Sequence, residues 1–290
     1  MARFVALLAS GIATGAILAV VALGFVVLHK ATGVVNFAHG DLVTLGAYVA
    51  LWAGTDLGLG PVPAALLAVA ALFGVGVVIE RVAHAPLRKR PAMTVVVATL
   101  AAALVLRGLV ALWQGSTPRS LPPLLGDGTV RIAGAPVAVQ RIVIVAVVAV
   151  VLAGLAFTFT RTSAGRQVRA LAADPEAAQM LGVRTRGASM LTFGLSAALA
   201  GLAGVLVAPL SAVDLGFGFG LMVTAFAGAV IGGFGNLGGV ALGAAVIGIV
   251  QQVVGGYVLQ DWAPALPYAV ILVIVLLRPA GVLSTGGTRL

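Results

Sequence analysis

R-T-S-A-G-R-Q-V-R-A-L-A-A-D-P-E-A-A-Q-M-L-G-V-R-T-R, residues 161–186, is the longest polar island in a chain whose other segments are built for lipid. Within it Asp174-Pro175-Glu176 reads as a helix start. Asp174 can cap free backbone N–H groups, Pro175 brings the φ of a first helical position, and Glu176 suits the positive end of the dipole. Gly182 offers the left-handed stop. The spacing predicts a helix over residues 175–181, about 10 Å long at 1.5 Å per residue, too short to be stable alone in water. Such a helix has to dock against something.

Composition says what surrounds the island. Of 290 residues 61% are hydrophobic and 9% charged, with a mean hydropathy of +1.17, whereas soluble domains carry about 25% charged residues. The chain is therefore expected to be an all-α polytopic membrane protein, one transmembrane domain over residues 1–290 with a cytoplasmic loop at 161–187. The 39 glycines are dispersed and suit transmembrane helices that approach closely at small residues. With no cysteine there is no disulfide, thiolate nucleophile or Cys-based metal site. The net charge of +9 sits in short loops between apolar runs, where basic residues set topology rather than bind nucleic acid.

Apolar runs at residues 4–28, 61–79, 93–113, 142–160, 188–208 and 265–277 read as spans, and shorter ones at 42–54, 221–231 and 240–255 bring the count to eight or nine. Gly11 and Gly15 in the first run, and Ser196, Ala200 and Gly204 with Ala197 and Gly201 in the sixth, set small residues four apart for tight helix contact. Arg81, Arg88, Lys89 and Arg90 place the loop at 80–91 in the cytoplasm, and Arg161, Arg166, Arg169, Arg184 and Arg186 place the opening loop there too. Residues 115–140, bearing Arg119, Asp127 and Arg131, become an outer loop; Asp56, Asp214 and Asp261 also fall outside. Behind the last span follow Arg278 and a tail ending at Arg289. Arg107 inside the fourth run either pairs within the bundle or snorkels to the headgroups, and its nearness to Trp113 favours snorkelling.

Residues 29–41, H-K-A-T-G-V-V-N-F-A-H-G-D, precede an apolar stretch too short to span comfortably. The expectation is a broken or re-entrant helix, tolerated at membrane depth only where protein or a water-filled cavity covers it. Asn36 and Asp41 then either cap the second helix beside a hydrogen-bonded core His39, or these residues line a path. Gly232-Gly233-Phe234-Gly235-Asn236-Leu237-Gly238-Gly239 marks a second break. Phe37, Val43, Leu45, Gly46 and Ala47 recur as Phe234, Val240, Leu242, Gly243 and Ala244, 197 positions later. This is the pattern of a parallel repeat in which two discontinuous helices meet at a translocation path. Its candidate lining or gate residues are Asn36, Phe37, His39, Asp41, Phe234 and Asn236.

Glu176-Ala177-Ala178-x-x-x-Gly182 resembles the first half of the E-A-A-x-x-x-G signature in the cytoplasmic loop of ABC importer permeases; the I-x-L-P end of the longer signature is missing here. Val34 to Leu42, with V-x-N-F-A-H-G-D-L, and Leu45 to Tyr48, L-G-A-Y, resemble the LivH-type permease of branched-chain amino acid ABC importers. The likeness covers residues 14–48 and 161–209 and extends to 232–248. It implies that Pro175, Glu176, Ala177, Ala178, Leu181 and Gly182 form a coupling helix seated in a cleft of an ATPase subunit. It further implies a heterodimer with a second homologous permease, two cytoplasmic ATPase subunits, an external substrate-binding protein and a multi-pass place in a bacterial-type inner membrane.

The residues themselves agree with that class. No H-E-x-x-H, G-x-S-x-G or G-x-x-x-x-G-K-[ST] motif occurs, so neither a catalytic centre, a metal site, a cofactor site nor ATP hydrolysis by this chain is expected. The alternative is an ion-coupled secondary transporter of small amino acids or carboxylates, which would hold a carboxylate near mid-membrane; Asp41 alone comes near that depth.

Overall fold

A computed structural model describes residues 2–33, 35–88, 90–126, 128–234, 237–257 and 265–277. Val34, Lys89, Asp127, Gly235, Asn236, Asp261, Arg278 and Arg289, all named above, lie outside the described residues. Eleven helices are numbered in chain order: α1 Ala2–Thr32, α2 His39–Thr55, α3 Pro61–Ile79, α4 Ala92–Gln114, α5 Val139–Arg161, α6 Ser163–Ala173, α7 Pro175–Met180, α8 Thr185–Val207, α9 Phe217–Gly232, α10 Leu237–Tyr257 and α11 Leu266–Leu277. Among the described residues six are long and apolar enough to cross a bilayer: α1, α3 with its continuation to Leu87, α4, α5, α8 and α10. The chain divides into two compact units, one of Met1–Leu23, Pro122–Val148 and Gly220–Leu290, the other of Gly24–Leu121 and Ala149–Phe219.

In the second unit α2 is buried along most of its length and packs on α3, α4 and α8. Small residues make this possible. A β-carbon on Gly46 of α2 would strike the backbone of Gly201 in α8, and one on Gly201 would lie 2.8 Å from Cγ of Leu72 in α3. Ser196, Ala197, Ala200 and Gly204 are buried in the same seam. Without a hydrophobic force between helices in lipid, such close backbone approach and the dispersion it brings are what hold them together.

The first part of the predicted loop at 80–91, residues 80–87, is a continuation of α3. A π turn, Glu80–His84, closes with the Ala85 N–H donating to the Glu80 carbonyl, and a 3₁₀ turn, Ala85–Leu87, follows. A second correction concerns residues 163–173, read as loop but folded as α6. Thr162 Oγ1 accepts from the Gly165 N–H at 3.1 Å, and Gly165, Val168 and Leu171 form a buried face three residues apart. The start of that face seats against the end of α5: a β-carbon on Gly165 would lie 2.6 Å from the Phe159 α-carbon, and Arg169 donates to the Phe159 carbonyl.

The first unit repeats the same economy of side chains. Gly11 and Gly15 of α1 abut α10, where added β-carbons would lie 2.8 Å from the Ile249 α-carbon and 2.7 Å from that of Ala245. Gly228 of α9 meets Ala244 of α10 at 2.6 Å in the same sense. Its predicted outer loop holds an antiparallel hairpin, β1 Thr129–Ile132 and β2 Ala135–Ala138, with Val130 opposite Val137. Ala133 and Gly134 both have positive φ, 50° and 81°, the two-residue turn whose twist matches its strands.

Candidate functional site

Two places in the second unit carry polar chemistry where apolar contact would be expected. The first is the break between α1 and α2. Asn36 Oδ1 accepts from the Ala38 N–H at 3.0 Å, and the Asn36 carbonyl accepts from the His39 N–H at 3.3 Å, so Asn36 closes the turn that starts α2. The Phe37 N–H donates to Thr99 Oγ1 of α4 at 3.3 Å. His39 is fully buried; its Nδ1 lies 3.3 Å from Ser196 Oγ, and its ring meets Phe25 edge-on at 6.2 Å. Thr44 Oγ1 accepts from the Gly218 N–H at 2.9 Å, tying the second turn of α2 to the first of α9.

Arg107 does not snorkel. Its Nε donates to Asp41 Oδ1 at 2.9 Å and its Nη2 to Oδ2 at 3.4 Å. The reason is direction: a helical side chain leans toward its own N-terminus, so Arg107 leans away from the Trp113 end of α4. Trp113 packs on Trp52 of α2 with ring centroids 5.8 Å apart and the planes tilted by 58°. Asp41 stands eleven residues before Trp52, about 16 Å along the helix, roughly half the thickness of a hydrocarbon core. With the two tryptophans at headgroup level, where such rings are enriched, the pair is held deep, and Asp41 lies in the first turn of α2, where the dipole also favours a carboxylate.

The second place is the polar loop. Asp174 Oδ1 accepts from the Glu176 and Ala177 N–H groups at 2.9 and 3.0 Å. At the other end Val183 N–H donates to the Ala178 carbonyl and Gly182 N–H to that of Gln179, both at 3.0 Å, with Gly182 at φ 80°. This pair of bonds closes the helix through a left-handed glycine. Ala178 is 3% exposed and faces the chain's own interior, which removes it from any outer contact surface. Met180 and Leu181 are each 83% exposed; Met180 was not singled out from the sequence, although its spacing of four from Glu176 puts it on the same outer side. Leu171 of α6 packs with Ala31 at the end of α1 and Ala188 at the start of α8.

Behind the loop stands a cluster that sequence reasoning missed. Glu80, 1% exposed, accepts from Arg88 Nη2 and from Ser189 Oγ at 3.0 Å. His84 Nδ1 lies 4.0 Å away, and its ring packs on Phe193 with centroids 4.8 Å apart. A cavity of about 660 Å³ opens beside it, lined by Glu80, Arg81, Arg88, Gln179, Thr185 and Arg186. The signal was present as Glu80 and His84 four apart on one helical face.

Asn36, Phe37, His39 and Asp41 come together at the start of α2. Phe234 belongs to the first unit, where its ring packs on Phe226 at 5.7 Å, and Asn236 is not among the described residues. The first unit also holds a cavity of about 310 Å³ lined by polar groups that include Thr14, Thr224, Gln251, Gln252 and Tyr268. There Gln252 donates to Thr14 Oγ1 at 3.2 Å. Among the described residues no group of three or more His, Cys, Asp or Glu side chains is placed to hold a metal ion.

Comparison with known proteins adds a lineage to this geometry. The family described as branched-chain amino acid transport system / permease component matches residues 7–276. The high-affinity branched-chain amino acid transport system permease protein BraD of Pseudomonas aeruginosa is 30% identical over 292 residues, 96% of this chain and 94% of that one. LivH of Escherichia coli K12, a permease protein of the same kind of system, is 28% identical over 288 residues, 95% of this chain and 94% of that one. The autoinducer 2 import system permease protein LsrC of E. coli is 32% identical over 161 residues, 53% of this chain and 44% of that one.

Proposed function

The chain belongs to the permease-component family of branched-chain amino acid transport systems, and on that premise we propose that it forms the translocation path of an ABC importer for branched-chain or related amino acids. It is a multi-pass inner-membrane protein whose relatives BraD and LivH are transport permeases. An external binding protein delivers the cargo, two cytoplasmic ATPase subunits supply the energy, and a second homologous permease completes a heterodimer. The whole chain acts as one permease domain.

The observation that carries the proposal is the exposed tip of α7. Two large apolar side chains, Met180 and Leu181, stand almost free on a helix capped at both ends and set between spans. Apolar groups so exposed on a rigid element are a docking feature. In this reading Pro175, Glu176, Ala177, Leu181 and Gly182, joined by Met180, meet the ATPase. Force then passes from α6 through Leu171 to Ala31, just before the break that Asn36 closes. Asn36, Phe37, His39 and Asp41 there, with Phe234 and Asn236 at the second break, shape the path or its gate.

The test is uptake by proteoliposomes containing this chain, the second permease and the ATPases. L-leucine should accumulate only with ATP on the ATPase side and loaded binding protein on the other. Accumulation driven by an ion gradient without ATP overturns the proposal in favour of a secondary carrier.

A further inference from the structure

A guanidinium has five N–H donors. Arg107 spends two of them on Asp41, one from Nε and one from Nη2, which leaves three without a partner among the described residues. The side-on edge of the guanidinium is therefore occupied, while the end-on edge formed by Nη1 and Nη2 is open. Arg107 is also the more exposed partner of the pair: its side chain is 38% exposed and that of Asp41 only 4%.

At this depth open donors cannot face hydrocarbon. Each unsatisfied polar group in lipid costs several kcal/mol, and intramembrane arginines almost always face a bundle interior or a water-filled cavity. Nor does Asp41 cancel the charge fully, because the first-turn amides of α2 already meet part of its negative charge. What remains is a planar, partly uncompensated fork, the geometry that holds a carboxylate through two parallel bonds.

We propose that the end-on edge of Arg107 receives the carboxylate of the cargo during passage, with Asp41 as the resident counter-ion that fixes the guanidinium in place. This rests on the importer reading above and adds a residue and a chemical group to it. The chemistry recognised is a carboxylate, common to α-amino acids and small organic acids, so the site selects a class and leaves the side chain of the cargo unread.

Three variants of the reconstituted complex test it with L-leucine as probe. Arg107→Lys keeps the ion pair but loses the fork. It should leave the melting temperature of the complex unchanged while lowering uptake at saturating loaded binding protein at least fivefold; uptake equal to wild type overturns the proposal. Arg107→Gln with Asp41→Asn removes both charges and leaves none orphaned. Uptake should fall tenfold or more, and uptake within twofold of wild type overturns the proposal. Arg107→Cys with Asp41→Asn places a thiol on α4 at the base of the space the guanidinium leaves, in a chain that has no other. It should react with 2-sulfonatoethyl methanethiosulfonate from water and be protected during L-leucine turnover; a thiol that stays unreactive overturns the proposal. Absence of ATP-dependent L-leucine uptake by the wild-type complex is a different result, and it would sink the importer reading itself.

Discussion

The ring of His39 lies against the bare backbone of Gly24: a β-carbon there would come within 2.8 Å of Cε1 and 3.2 Å of Nε2. The imidazole is fully enclosed between α1 and Ser196 of α8, so it has no room to yield. Gly24→Ala is expected to push the ring off Ser196, an overpacking effect on the order of 1–3 kcal/mol, and to lower uptake. Gly74→Ala is the control, since nothing stands within 4 Å of that position. Thermal unfolding in detergent, alongside uptake, should separate the two; equal behaviour removes His39 packing from the account.

Glu80 and Arg88 form a pair of which only Arg88 reaches solvent, with side-chain exposures of 1% and 30%. Breaking a fully buried pair costs about 3–5 kcal/mol, because one charge is left without compensation. Partial exposure of Arg88 places Glu80→Ala below that range, at roughly 2 kcal/mol. The double change Glu80→Ala with Arg88→Met should recover much of the loss, as an apolar replacement leaves no orphan charge. Melting temperatures of single and double variants check this, and a double variant less stable than the single one contradicts it.

Orientation follows from loop charge. In a chain without cysteine, Thr129→Cys on the hairpin should react with an impermeant thiol reagent applied outside intact cells. Ser163→Cys at the start of α6 should react only after permeabilisation. The opposite pattern means that the topology is inverted.

On α7 the surface and the interior make different demands. Leu181→Asp and Met180→Ser should leave the chain folded yet separate ATP hydrolysis from uptake. Ala178→Trp should instead disrupt the loop of the isolated subunit, since that position is closed. Gly182→Val should do the same, because a β-branched residue at φ 80° is strained. Size-exclusion profiles of the subunit alone, set beside coupled uptake, read both effects. Full coupling by the Leu181→Asp complex would take α7 out of the mechanism.

Hydropathy and capping chemistry were enough to place much of the architecture. The third span, residues 61–79, coincides with α3, and the start of α7 at Pro175 follows directly from Asp174 as its cap. Such features depend on near neighbours in the chain. Arg107 was misread because its answer lies 66 residues away at Asp41, and position along α4 says nothing about direction of lean. Continuation of α3 past Glu80 was hidden for a related reason: a buried carboxylate becomes affordable only once Arg88 and Ser189 surround it. Thr162, Val168 and Leu171 did carry a short-range signal for α6, masked by the arginines between them.

Gly46, Gly201 and Leu72 also bear on how this protein can be recombined. A β-carbon on Gly46 would meet the Gly201 backbone, and one on Gly201 would meet Leu72, so each of α2, α8 and α3 is cut to the surface of the next. Helices fitted in this way are not interchangeable parts. A chimera that takes α2 from one relative and keeps α8 and α3 from another would join two surfaces trimmed for different neighbours, whereas exchanging all three as a block carries the fit along with it. The practical unit of inheritance in this bundle is the interlocked triplet, although its members are scattered along the chain.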